Sequence, residues 1–218
     1  MDDAAFRRAF AILWRRFRVT NWAEGKDPFE VLVSIVVSQN STDLVTERVI
    51  RGLAAEMPIT AQRIAKAPAA LLIRTLRPAG LSRTKVPRIQ ALAHEVVSRF
   101  GNDLTRVLNE PDPRAALMSL PGIGPKTADV WLSLVAGRDA MPVDTHIARL
   151  AHRWRLVRTA KYEDVTAKLK SLIPPSRRGR GHLVLIQFGR EVCQARRPRC
   201  EVCPVYAQCD AVVKRARA

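Results

Sequence analysis

Four cysteines, Cys193, Cys200, Cys203 and Cys209, stand in one short stretch with six, two and five residues between them, and the 218-residue chain has no others. Thiols this close together could form two disulfides, bind zinc or hold an iron-sulfur cluster. Two disulfides within so compact a run are hard to close without strain. Structural zinc usually draws on two close ligand pairs, whereas only Cys200 and Cys203 form one here. The four-thiolate demand of a 4Fe-4S cube fits this count and spacing better.

Two further runs carry chemistry. In Leu120-Pro121-Gly122-Ile123-Gly124-Pro125-Lys126-Thr127-Ala128, two glycines flank Ile123 at a tight corner. Without side chains they admit a close phosphate, and a helix starting near Pro125 would offer it amide donors and a positive dipole end. A Gly-x-Gly corner can also serve only as a turn. Lys126 falls in the first turn of that helix, where the dipole favours the neutral amine that nucleophilic attack requires. In Val143-Asp144-Thr145-His146, Asp144 can stabilise developing positive charge and assist proton transfer. It also suits the N-cap of a helix carrying Ile147, Leu150 and Ala151. His146 reads as a packing or supporting residue rather than a catalytic one.

The composition narrows the partners. Lys plus Arg outnumber Asp plus Glu by 37 to 20, a formal charge of +17, which points to a polyanion and above all to nucleic acid. At 47% hydrophobic the chain can bury a substantial core. No stretch approaches the ~20 apolar residues of a membrane span, and Asp2 and Asp3 ahead of Arg7 and Arg8 do not form a secretory signal. The expectation is a cytoplasmic, nucleoid-associated protein with no membrane partner, where clustered cysteines serve a metal rather than disulfides.

Positioning these residues falls to helices. Phe6, Phe10, Leu13 and Phe17 form one apolar stripe. Asp27, Pro28 and Glu30 predict a helix start, so the β-branched run Val31 to Val37 is expected as a buried helix rather than a strand. Thr42-Asp43 caps a stripe of Val45, Val49 and Leu53, and Pro68 opens a helix with Leu72 and Leu76. Pro78 to Lys85 is expected as a loop, followed by a helix with Ile89, Leu92, Val96 and Val97 that ends before Gly101. The run Ser176 to Gly181 reads as a polar loop. With no period-two pattern long enough for a strand, the fold class is all-α.

The cysteine spacing, the glycine corner ending in Lys126 and the Val143-Asp144 run, in that chain order, resemble the endonuclease III family of DNA repair glycosylases. The resemblance implies a helix-hairpin-helix glycosylase fold. A six-helix barrel domain would span 23–138, and 1–22 with 139–218 would form a discontinuous iron-sulfur domain across a cleft. It implies Lys126 as nucleophile, Asp144 as the catalytic carboxylate, Gly122, Ile123 and Gly124 as the DNA-holding hairpin, and the four cysteines as ligands of a 4Fe-4S cluster. Two further side chains would fill the gap left by an extruded base. These are Leu81 and an amide, with Asn40 at the matching position and Gln39, the usual residue type, one place earlier. Pro125 departs from the family's basic or polar residue and removes one backbone donor. Arg196, Arg197 and Arg199 lie between the first two cysteines, on a loop that the metal would pin at both ends as a phosphate clamp.

The implied activity is that of a monomeric bifunctional glycosylase with abasic-site lyase activity, acting mainly on oxidised pyrimidines in damaged double-stranded DNA. Alternatives in the same superfamily are an adenine, mismatch or alkylation-type glycosylase. The adenine branch usually lacks this lysine and carries a further domain, whereas only Asp210 to Ala218 follow Cys209. Outside the superfamily stand a non-catalytic helix-hairpin-helix DNA-binding protein and an iron-sulfur electron carrier, the latter more often small and acidic.

Overall fold

The computed structural model describes residues 1–80, 82–159 and 161–209. Leu81 therefore lies outside the described residues. Helices account for the regular structure: α1 (Asp3–Arg16), α2 (Pro28–Ser38), α3 (Asp43–Glu56), α4 (Ala61–Lys66), α5 (Ala69–Leu76), α6 (Ser82–Phe100), α7 (Pro113–Met118), α8 (Pro125–Leu134), α9 (Thr145–Arg153), α10 (Tyr162–Leu172) and α11 (Arg178–Glu191). The described residues contain no strand. The chain divides into two compact units, one comprising Ala23–Trp131 and the other Met1–Trp22 together with the chain from Leu132 onward. The second boundary falls inside α8, seven residues ahead of the expected 138.

The unit formed by Ala23–Trp131 starts on the predicted cap. Asp27 Oδ1 accepts from the amides of Phe29 (2.9 Å) and Glu30 (3.0 Å), satisfying two of the donors a helix start leaves open. Val31 to Val37 are buried on every face of α2, which explains why their pattern lacks a helical period. Leu53, Ile64, Leu72, Leu76, Ile89 and Leu92 fill the same core. Trp131, fully buried, donates its indole N–H to the Pro28 carbonyl at 2.9 Å, as a buried indole must.

Two expected loops are corrected. Most of Pro78 to Lys85 is helical: a 3₁₀ turn occupies Arg77–Ala79 and α6 begins at Ser82, with Pro87 inside it. Proline removes only one ladder bond near the helix start, and burial of Lys85 and Val86 holds the first turn. The run Ser176 to Gly181 enters α11 at Arg178. Arg178 is buried and donates to the Ile173 carbonyl at 2.9 Å, to the Lys170 carbonyl and to Asp139. A Cβ on Gly179 would stand 3.1 Å from Ser133 Oγ, and one on Gly181 would stand 3.0 Å from the Phe10 ring. These glycines serve close packing of a helix, not a turn.

The other unit packs α1, α9, α10 and α11 around an aromatic core. Phe6 meets Trp154 edge-on and Trp154 stacks on Phe188, each pair 5.9 Å between ring centroids. Leu13, Ile147, Leu150, Leu169 and Leu185 close around them. Offset and edge-on rings add to burial and fix relative orientation. The face of α9 opposite this core is thereby free to address the cysteine loop.

Candidate functional site

Within the Ala23–Trp131 unit, the hairpin joins α7 to α8. Gly122 has φ +80°, a conformation that costs a residue with a side chain about 1–2 kcal/mol. It is doubly constrained, because a Cβ there would lie 2.2 Å from Cδ of Arg88, whose stem crosses the corner from α6. Ile123 turns inward, buried, and its N–H donates to the Leu120 carbonyl at 3.2 Å. The Gly124 carbonyl accepts from Ala128 at 3.0 Å, so α8 is entered with Pro125 at its first position and Lys126, half-buried, at its second. Asp129, one turn beyond Lys126, is 4% exposed and receives a forked ion pair from Arg114 of α7, at 2.8 and 3.3 Å. That pair ties the two hairpin helices together. Neither Arg114 nor Asp129 stands out in sequence, since fifteen residues separate them and no local period relates them.

Gln39 and Asn40, the amides expected to fill the gap, belong to the same unit. Gln39 is the C-cap of α2 with its N–H on the Val36 carbonyl, and Asn40 comes next, exposed, at φ +60°. Asparagine tolerates this left-handed backbone better than glutamine does, which accounts for the shorter amide at this position.

In the other unit Asp144 is the N-cap of α9, accepting from the Ile147 amide at 2.8 Å. His146 accepts at Nδ1 from Arg149 (3.1 Å), because a guanidinium has only donors. Burial lowers its pKa first, Asp144 opposes that, Arg149 and Arg190 lower it further, and a hydrogen bond to the Gly189 backbone raises it.

None of the four cysteines is in a disulfide, and all four line one cavity, partly open to solvent, walled by Trp154, Phe188, Val192 and Tyr206. Burial pushes the Cys203 thiol up to about 11; the Val205 amide pulls it down and the three other cysteines push it up. Four thiols this close resist ionising together unless a positive centre joins them. Among the described residues no three His, Cys, Asp or Glu side chains close on one ion. The thiols line a shared cavity, and four thiolates meet the ligand demand of a multi-atom cluster. The donor set fits the expected iron-sulfur group.

The loop between Cys193 and Cys200 is held from α9 by two arginines that sequence spacing does not single out. Arg149 donates to the Gly189 and Cys193 carbonyls, and Arg153 to the carbonyls of Cys193, Gln194 and Ala195. Arg196, Arg197 and Arg199 remain exposed, while Pro198 between them is buried. The loop backbone is thus anchored and its cationic side chains face water.

A hairpin with close backbone approach, an amine at the start of the following helix and a cationic thiol loop together define a DNA-processing protein of the base-excision type. The profile described as "HhH-GPD superfamily base excision DNA repair protein" matches residues 33–175. The chain belongs to this superfamily and to its endonuclease III family, and it is a base-excision DNA glycosylase. It is 33% identical to endonuclease III of Thermotoga maritima, over 88% of this chain and 86% of that one. It is 30% identical to the Escherichia coli enzyme, over 84% and 83% of the two chains. A trapped endonuclease III–DNA covalent intermediate superposes with a TM-score of 0.88 at 30% identity, covering all of both chains. A thermostable thymine-DNA glycosylase shares the fold, with a TM-score of 0.81 at 21% identity over 99% and 97% of the chains.

Proposed function

We propose that this glycosylase is bifunctional, removing mainly oxidised pyrimidines from damaged duplex DNA and cleaving the resulting abasic site by β-elimination. The observation that carries the reading is Lys126 in the first turn of α8, directly after the Gly122–Gly124 corner. Its amine lone pair attacks the sugar C1′, the bond from C1′ to the base breaks, and the base leaves with the electron pair and takes up a proton. Loss of an amine proton and ring opening give the imine. Removal of a C2′ proton then expels the 3′ phosphate with the electrons of its C–O bond. Asp144 stabilises the positive charge that develops on the sugar and relays protons.

Cys193, Cys200, Cys203 and Cys209 would hold a 4Fe-4S cluster. When bound, that group supplies structural cross-linking of the loop that carries Arg196, Arg197 and Arg199. Gly122, Ile123, Gly124 and the three arginines hold backbone phosphates, and Leu81 with Asn40 or Gln39 fills the extruded-base gap. The enzyme acts as a monomer in the cytoplasm, on the nucleoid. Borohydride reduction on abasic DNA tests the central step: the parent should be trapped covalently and Lys126→Gln should not, while its duplex affinity stays largely intact. Undiminished trapping of the variant would falsify the nucleophile assignment.

A further inference from the structure

Lys85 is an unexpected residue of the Ala23–Trp131 unit. It is 5% exposed, has no acidic partner among the described residues, and donates from one nitrogen to the Val37 carbonyl at 2.8 Å and the Ala79 carbonyl at 3.2 Å. Those two oxygens therefore lie no more than about 6 Å apart although 42 residues separate them in sequence. Both stand at helix ends, Val37 in the last turn of α2 and Ala79 closing the 3₁₀ turn Arg77–Ala79. Carbonyls there lack intrahelical donors and carry the negative end of the dipole, which favours an ammonium. Burial lowers the Lys85 pKa. An ammonium is thus kept buried at a desolvation cost that an apolar residue would avoid.

Each of the two carbonyls immediately precedes a gap-filling segment. Two residues after Val37 comes Gln39, and then the left-handed Asn40; directly after Ala79 come Gly80, at φ +69°, and then Leu81 in the chain. We propose that Lys85 is a positioning residue that ties these two turns into one element, so that the amide following Val37 is held in place for the gap left by an extruded base. The proposal rests on the gap-filling role of Asn40 or Gln39. A lysine serves because its single nitrogen carries three donors that can address carbonyls from two segments at once.

The test compares substrates that do and do not require extrusion. In single-turnover assays, Lys85→Met should slow excision of an oxidised pyrimidine from duplex DNA by about 10- to 100-fold, the usual consequence of small misplacement. Excision of the same base from a single strand, and strand cleavage at a preformed abasic site, should stay within about 3-fold because neither requires unstacking a paired base. Lys85→Arg, which keeps donors, should recover part of the duplex rate. Equal losses on all substrates would mean a purely structural lysine and overturn the proposal, as would no loss. Asn40→Ala and Gln39→Ala, assayed alongside, separate the two ideas. If one of them shows the duplex-selective loss and Lys85→Met does not, the positioning role alone fails; if neither does, gap filling fails and the proposal with it. Should Lys85→Met not fold, hydrogen exchange in the parent decides. The amides of Ser41 and Gly80, bonded to the Ser38 and Arg77 carbonyls, should open at one common rate, and well-separated rates would overturn the coupling.

Discussion

Arg153 donates to Sγ of Cys193 at 3.2 Å and, from the same nitrogen, to the Cys193 carbonyl at 3.1 Å, so the last turn of α9 holds both the thiol and the backbone at the first cysteine. A pair of guanidinium side chains, Arg149 and Arg153, thus holds the cysteine loop, beside whatever support the proposed metal group supplies. Arg153→Ala leaves the Cys193, Gln194 and Ala195 carbonyls without these donors. Bleaching of visible cluster absorption by a chelator should become several-fold faster in this variant, and unchanged bleaching would show that the loop is held by its metal alone. Cys203→Ala, in contrast, should lose the colour outright while DNA binding weakens only in part.

Gly122→Ala should fail at the hairpin. The residue sits at φ +80° and its Cβ would collide with Arg88, a flexible side chain that can move aside. Backbone strain of about 1–2 kcal/mol then remains. Duplex affinity should fall by about tenfold or more with the overall helix content unchanged, as read by fluorescence anisotropy and circular dichroism. Arg88→Ala should relieve the collision without restoring affinity, since it leaves the strain in place.

Asp144→Asn separates the two roles of this carboxylate. Asparagine is as good an N-cap as aspartate and can still accept from the Ile147 amide, so thermal stability should change by less than about 1 kcal/mol. Turnover should fall at least about tenfold through loss of the charge. A variant as active as the parent would leave Asp144 with capping only.

His146 makes stability depend on pH in a defined direction. Its folded pKa lies below the ordinary 6.5, chiefly because it is buried, so as pH falls the unfolded chain takes up this proton first. The contribution is complete above about pH 6.5 and is lost as pH drops through 6.5 toward the lower folded value. Melting temperatures of the parent should therefore decline more steeply below pH 6.5 than those of His146→Gln. Parallel curves would show that the ring does not sense the fold.

Arg196, Arg197 and Arg199 are exposed on an anchored loop. Each should contribute roughly one unit to the log-log salt dependence of DNA binding if it holds a phosphate. The triple alanine variant should bind with a slope flatter by about three units and with little change in base preference. A slope equal to the parent's would assign these charges to solvent.

Short-range determinants are the ones this chain makes legible in sequence. The caps at Asp27, Thr42 and Asp144 each close within three residues, and the stripe Phe6, Phe10 and Leu13 repeats at helical period. Periodicity and capping are local properties, so they survive without knowledge of the fold. The cysteine spacing and the Gly122–Lys126 run are likewise contiguous. Tertiary structure decided the rest. Lys85 looks like one more loop cation until Val37, 48 residues away, accepts its hydrogen bond. Arg114 finds Asp129, and Arg149 and Arg153 find the cysteine loop 40 to 44 residues on. The Arg178 run looks like a polar loop until Asp139 and the Ile173 carbonyl bury it and the close approach of Phe10 and Ser133 explains its glycines. A buried charge is stable only where distant partners converge. No local pattern records that convergence.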